Sequence, residues 1–221
     1  GVNGVLGNPV LGLYDGASLF MTSNTGWGGG ATLATAFASV GAFALPANSA
    51  DSALVQTLSS GATYSIIING ANSTTGVALA EVYDADPGTP STRLTNVSAR
   101  AFSGTGVNAL TAGFVIGGSG TDTLLIRAIG PGLTPFGVGG VIATPVLTLY
   151  DSNGTVIQTN AGWGGGAALV AAFSAVGAFQ LPAGSADAAL LVTLPNGLYT
   201  VQVSGAGNTT GVGLIEVYEM R

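Results

Sequence analysis

The chain has 221 residues and a formal net charge of −6, carried by ten acids and four arginines, and it contains no lysine, histidine or cysteine. These missing side chains exclude histidine acid–base catalysis, thiolate chemistry, Schiff-base lysines and His/Cys metal sites. The scarcity of cations also excludes a nucleic-acid partner, because binding phosphates needs clustered Lys or Arg.

Hydrophobic residues make up 47% of the chain and charged residues 6%, which is the reverse of the composition of disordered proteins. The uncharged stretch from residue 16 to residue 50 contains GWGGG, Asn and Pro. It is therefore not the run of roughly 20 apolar residues that a spanning helix requires. We expect a folded protein without a membrane span.

Alternating apolar and polar residues, bounded by turn residues, dominate the chain and predict β-strands. So many short strands are typical of an antiparallel β-sandwich or jelly roll. The predicted strands are, in chain order, YSIIING (64–70), ALTAGFVIGG (109–118), TDTLLIRAIG (121–130), PVLTLYD (145–151), TVIQTN (155–160), ALLVTL (189–194), GLYTVQVSG (197–205) and GVGLIEVY (211–218).

Two local patterns interrupt the strands. After each GWGGG, apolar residues recur at helical spacing and a Gly follows, which predicts one short helix in each half of the chain. The apolar positions are Leu33, Phe37 and Val40 in the first half and Leu169, Phe173 and Val176 in the second. Asn-Gly pairs at 153–154 and 196–197 predict tight hairpin turns.

An internal duplication is the strongest feature of the sequence. Residues 1–83 match residues 137–218, whereas residues 93–136 occur once. Such self-similarity predicts a repeat architecture. The clearest matches are NPVLGLYD (8–15) with TPVLTLYD (144–151), TGWGGGA (25–31) with AGWGGGA (161–167), VGAFALPANSAD (40–51) with VGAFQLPAGSAD (176–187), and TTGVALAEVY (74–83) with TTGVGLIEVY (209–218).

The duplication predicts two tandem antiparallel β-sandwich domains in an all-β protein. The first, residues 1–83, is incomplete at its N-terminal side because it has no counterpart of residues 93–136. The stretch DADPGTPS, residues 84–91, has the Pro, Gly and acidic content of a linker. Residues 92–221 then form the complete repeat.

The segments LTLYDSNGTVIQTNAGW, SADAALLVTLPNGLYTVQVSG and TTGVGLIEVY resemble tandem β-sandwich repeats of about 130 residues in very large secreted bacterial surface proteins. Their order is also similar to that of bacterial pre-peptidase C-terminal-type domains. The resemblance covers essentially the whole chain and transfers no catalytic residue. It implies an extracellular or cell-surface β-sandwich module used in tandem for structure, display or adhesion, without a cofactor.

Several residues are candidates for ligand sites. Oxygen ligands at alternate positions suggest calcium at Asp151 and Asn153, and at Asp15 in the first copy, although an Asp bonding its own hairpin turn explains the same pattern. Trp27 and Trp163 are candidates for stacking against sugars, or for burial over the end of a sandwich. Asn-X-Ser/Thr sequons, the acceptors of N-glycosylation, occur at Asn72, Asn96, Asn153 and Asn208.

The acids indicate assembly rather than catalysis. Most recur as repeat pairs and none forms an evident catalytic dyad, so we do not expect an enzyme. Glu81 and its copy Glu216 share a strand face with apolar neighbours, and each either needs a cation or faces water on an edge strand. Three of the four arginines, which are Arg93, Arg100 and Arg127, lie in the segment that the first copy lacks. Glu81 and these arginines are therefore the predicted subunit contact.

An incomplete sandwich exposes a strand edge that pairs with any strand offered to it. The leading hypothesis is a structural subunit of an extracellular filament or surface fibre, a homopolymer that assembles head to tail by β-strand addition to residues 1–83. The alternative is a carbohydrate-binding or adhesin module that presents its Trp residues to surface glycans.

Overall fold

The structure is a computed structural model in which residues 2–88 and 92–220 are described, so the end of the predicted linker, residues 89–91, lies outside them. The fold is all-β, with two antiparallel sheets and a few short helices, as predicted. The chain divides into two compact units, which we call unit 1 (residues 1–93) and unit 2 (residues 94–221). None of the helices in the described part is long and apolar enough to cross a membrane.

Unit 1 contains one three-stranded sheet in the order β2-β1-β3. Alternation along its strands turns Leu13 into the unit, where it is buried. The predicted helix is present and ends at Gly41, whose φ of 72° favours glycine. Its elements are β1 (Pro9–Asp15), β2 (Phe20–Asn24), α1 (Ala31–Val40) and β3 (Tyr64–Gly70).

Unit 2 contains one six-stranded sheet in the order β4-β9-β5-β8-β6-β7. Its helix lies where the apolar spacing predicted it, directly after GWGGG. The elements are β4 (Asn96–Ser103), β5 (Leu110–Ile129), β6 (Pro145–Tyr150), β7 (Val156–Asn160), α2 (Ala167–Ala175), β8 (Ala188–Gly205) and β9 (Gly211–Glu219).

The two Asn-Gly pairs have different outcomes. Asn153-Gly154 forms the predicted hairpin between β6 and β7, with Gly154 at a φ of 76°. The hairpin predicted at residues 196–197 is wrong, because β8 continues through it. Its partner β5 runs alongside both parts of β8, pairing Ile116 with Gly197 and Thr121 with Pro195, and residues 117–120 form the irregularity. Two pairs of predicted strands thus merge into two long ones.

Alternation along β5 gives unit 2 two cores. Leu124, Ile126 and Ala128 face one way and join a cluster with residues of β6, β8 and β9. Leu125 and Ile129 face the other way and pack with Trp163 and Phe173 under α2.

Unit 1 forms only part of this arrangement. Among its described residues, those at 53–58 and 77–83 belong to no strand, apart from a single bridge between Val5 and Val77. Their counterparts in unit 2 are the first part of β8 and most of β9, both of which pair with β5. Leu58 is 40% exposed, whereas its counterpart Leu194 is 4% exposed. Nearly the same sequence therefore stays unpaired in unit 1, because no counterpart of β5 is present there.

Candidate functional site

Unit 2 contains a buried ion pair between Arg127 of β5 and Glu216 of β9, which lie opposite each other in the sheet. Arg127 is fully buried. Its Nε donates to Glu216 Oε2 at 2.7 Å, and its Nη2 contacts the same oxygen. The guanidinium lies over the rings of Phe173 and Phe179, 4.8 and 4.5 Å from their centroids. This packing holds a charge that burial would otherwise destabilise.

A second buried carboxylate, Asp187, joins three loops. Its Oδ1 accepts hydrogen bonds from the backbone N–H of Gly130 at 2.7 Å and of Gly132 at 3.1 Å. Its Oδ2 accepts a hydrogen bond from the Ser185 hydroxyl at 2.7 Å, and its backbone carbonyl accepts one from the backbone N–H of Trp163. A side chain at Gly130 would lie 2.0 Å from the Ile142 carbonyl oxygen, so this position requires glycine. The sequence RAIGPG, residues 127–132, thus supplies the partners of both buried carboxylates.

The same positions in unit 1 lack these partners. Glu81, the counterpart of Glu216, is exposed and accepts a hydrogen bond from the Tyr83 hydroxyl at 3.1 Å. Asp51, the counterpart of Asp187, is also exposed. The hydroxyl of Ser49, the counterpart of Ser185, is buried and has no hydrogen-bond partner within the described residues. We call Glu81, Asp51 and Ser49 the open polar triad.

The tryptophans are structural. Trp27 is 7% exposed and Trp163 is 5% exposed. Their Nε1 groups donate to the carbonyls of Pro46 at 3.0 Å and Pro182 at 3.2 Å. The prediction of sugar-stacking platforms is wrong for both residues, because neither ring face is available to a ligand.

The calcium candidates form hairpin turns. Asp151 Oδ1 accepts from the backbone N–H of Asn153 and of Thr155, and the bond from Thr155 is the main cause that lowers the pKa of Asp151. Asp15 makes the same turn through Ala17 and Leu19. Across residues 2–88 and 92–220, no three His, Cys, Asp or Glu side chains group together to hold a metal ion.

The predicted contact arginines lie in different environments. Arg127 cannot contact another subunit, because it is buried in unit 2 and paired with Glu216. That part of the prediction is wrong. Arg93 is exposed at the end of unit 1, and Arg100 is exposed on the edge strand β4. The sequon residues Asn72, Asn96, Asn153 and Asn208 are all exposed.

Sequence reasoning missed the shared role of Gly130, Gly132 and Ser185. The available signal was the position of RAIGPG in the segment that occurs once, while SAD and EVY occur twice. No family model and no curated protein matches the chain.

Tyr218 provides a pH-dependent readout of the site. Its hydroxyl donates to Glu216 Oε1 at 2.9 Å. Burial, followed by the charge and the hydrogen bond of Glu216, raises its pKa from 10.0 to about 12. Because the folded pKa is the higher one, the neutral hydroxyl stabilises the fold below pH 10, and this contribution is lost as the pH rises towards 12.

We therefore expect the free energy of unfolding of unit 2 to fall between pH 10 and 12. Urea unfolding of the wild type and of Tyr218→Phe across this range measures the effect. The Phe variant lacks the ionising group and is expected to show a shallower fall. Equal slopes for the two proteins would contradict the assignment.

Proposed function

We propose that the protein is a structural subunit of an extracellular bacterial filament or surface fibre, in which subunits join head to tail by β-strand addition to unit 1. The observation that carries the proposal is the difference between the repeats. Unit 2 pairs its counterparts of residues 53–58 and 77–83 within a six-stranded sheet, whereas in unit 1 both segments lie outside any strand and form only the Val5–Val77 bridge.

The unpaired surface of unit 1 suits a strand. Strand β3 pairs only with β1 among the described residues, so its other edge offers free ladder positions. The counterpart edge of β8 pairs with β5 over Leu110–Ile116. Elsewhere in unit 1, Leu79 is 70% exposed, while its counterpart Leu214 packs against the core under α2. An open edge and exposed apolar residues are features that strand-addition partners cover.

The geometry of the contact favours a chain of subunits. An acceptor on unit 1 and a donor elsewhere make a contact between two different surfaces, which propagates rather than closing as a two-fold pair. The donor is not the β5 of an intact unit 2, because that strand is held between β8 and β9. The donor is therefore a strand other than a β5 already held in a complete unit 2.

Electron microscopy of material from the producing cells, with labelling of this protein, tests the proposal. We expect labelled fibres, and a stable, monodisperse monomer would overturn it. Leu79→Asp should abolish incorporation into fibres without destabilising the isolated chain. Leu19→Asp is the matched control, because Leu19 is 64% exposed and its counterpart is the polar turn residue Thr155. Equal incorporation of both variants would contradict the proposed surface.

A further inference from the structure

The open polar triad defines the chemistry of the segment that completes unit 1. We infer that this segment carries an arginine that pairs with Glu81 and, three residues later, a Gly-x-Gly whose N–H groups bind Asp51. This inference rests on the proposed function, and it adds the identity of the donor strand. The occupant is a strand with the pattern of residues 124–132, LLIRAIGPG, that is not already held in a complete unit 2.

Charge complementarity supports the arginine. Glu216 and Glu81 occupy the same repeat position, and each accepts a hydrogen bond from the tyrosine two residues later. Glu216 is buried against Arg127, but unit 1 contains no cation before Arg93 at its end. A strand that covers residues 77–83 would bury Glu81, and burying a carboxylate without a cation is strongly unfavourable. Residues 1–83 contain no arginine or lysine, so we expect the donor to bring the cation that Arg127 supplies in unit 2.

Unit 1 also contains counterparts of the aromatic rings that contact the arginine in unit 2. Phe37 and Phe43 are the counterparts of Phe173 and Phe179, the rings that contact the guanidinium of Arg127. Phe37 packs against Trp27 as Phe173 packs against Trp163, with ring centroids 5.5 Å apart in both units. Phe43 is 57% exposed. Unit 1 thus keeps both aromatic residues of an arginine site that has no arginine.

The buried Ser49 hydroxyl supports the Gly-x-Gly. In unit 2, Ser185 donates to the Asp187 carboxylate, which the N–H groups of Gly130 and Gly132 hold in place. In unit 1, the backbone contact from Trp27 N–H to the Asp51 carbonyl is preserved at 2.7 Å. The backbone around Asp51 therefore makes the same contact as the backbone around Asp187, and the hydrogen bonds to the Asp51 carboxylate are the ones that differ. Two closely spaced N–H groups would draw Asp51 inwards and give Ser49 an acceptor.

A fusion protein tests the inference. A second copy of residues 94–136 is joined directly to Gly1 of the full chain, a natural junction because Gly137 is the counterpart of Gly1. We expect amide hydrogen exchange at residues 77–83 to slow to the rates of residues 212–218. Replacing the arginine of the added copy that corresponds to Arg127 with Gln should speed exchange at residues 77–83 by at least about 100-fold relative to the unmodified fusion protein. The same change at the added counterpart of Arg100 should speed it by less than about 3-fold.

Glu81→Gln supplies the reciprocal control. It should reduce protection in the fusion protein and leave exchange in the unextended chain unchanged. If the Gln-bearing segment protects as well as the arginine-bearing one, the arginine assignment is overturned while strand addition stands. If the unmodified segment gives no protection, strand addition to unit 1 fails, and the proposed function fails with it.

Discussion

Replacing Arg127 with Leu is expected to lower the free energy of unfolding of unit 2 by about 3–5 kcal/mol. The substitution leaves Glu216 buried without a cation and removes the contacts to the rings of Phe173 and Phe179. Urea unfolding followed by tryptophan fluorescence measures the loss. A Trp27→Phe background leaves Trp163 as the reporter of unit 2.

Two further variants make the Arg127 result specific. Arg100→Leu removes an exposed arginine from the edge strand β4, and its effect should stay within about 0.5 kcal/mol. In the double variant Arg127→Leu/Glu216→Leu, the unpaired charge is gone, so most of the lost stability should return. An effect of Arg127→Leu no larger than that of Arg100→Leu would contradict the buried ion pair.

Replacing Asp187 with Ala is expected to lower the free energy of unfolding of unit 2 by about 3 kcal/mol or more. The change leaves the N–H groups of Gly130 and Gly132 and the hydroxyl of Ser185 without their acceptor in a buried site. Buried donors without an acceptor lower the stability of the folded state. Urea unfolding in the same background measures the cost.

The repeat provides a matched control for Asp187→Ala. Asp51 occupies the same position in unit 1, follows the same Ser-Ala sequence and is exposed. Asp51→Ala should therefore change the stability of the chain by no more than about 0.5 kcal/mol. Similar effects at the two positions would show that the loop itself, rather than the donors from Gly130 and Gly132, determines the role of the carboxylate.

Local patterns in the sequence predicted most of the secondary structure. Alternation located β3 in unit 1 and every strand of unit 2 except β4, and the spacing of Leu169, Phe173 and Val176 located α2, because each pattern follows from the geometry of its own element. The merging of predicted strands into β5 and β8 was missed. Whether Asn196-Gly197 turns or continues depends on the strand beside it, and such long-range pairing leaves no mark in a short window.

The site was less predictable than the fold. Arg127 and Glu216 were singled out by charge in an otherwise apolar chain, but Arg127 was placed at a subunit contact and Glu216 was left either in need of a cation or facing water on an edge strand. Their burial against each other depends on the register of β5 with β9, which the sequence does not display. The motif GWGGG is compatible with tryptophans that stack against sugars and with tryptophans that are buried. The structure shows burial, with each indole N–H donating to a proline carbonyl, Pro46 or Pro182, because a buried indole N–H needs an acceptor.

The two repeats show how far neighbours control structure. GVALAEVY at residues 76–83 and GVGLIEVY at residues 211–218 are nearly identical, yet the second is a strand and the first is not. Strand propensity is therefore insufficient without a partner, and the partners of β9 are β4 and β5. Our proposal that an added strand completes unit 1 is based on the same dependence.

Amide hydrogen exchange at residues 77–83, compared between the isolated chain and assembled fibres, tests the central claim most directly. We expect rapid exchange in the isolated chain, where these residues form no strand, and slow exchange in fibres, approaching that of residues 212–218 in β9. Unchanged rapid exchange in fibres would contradict it.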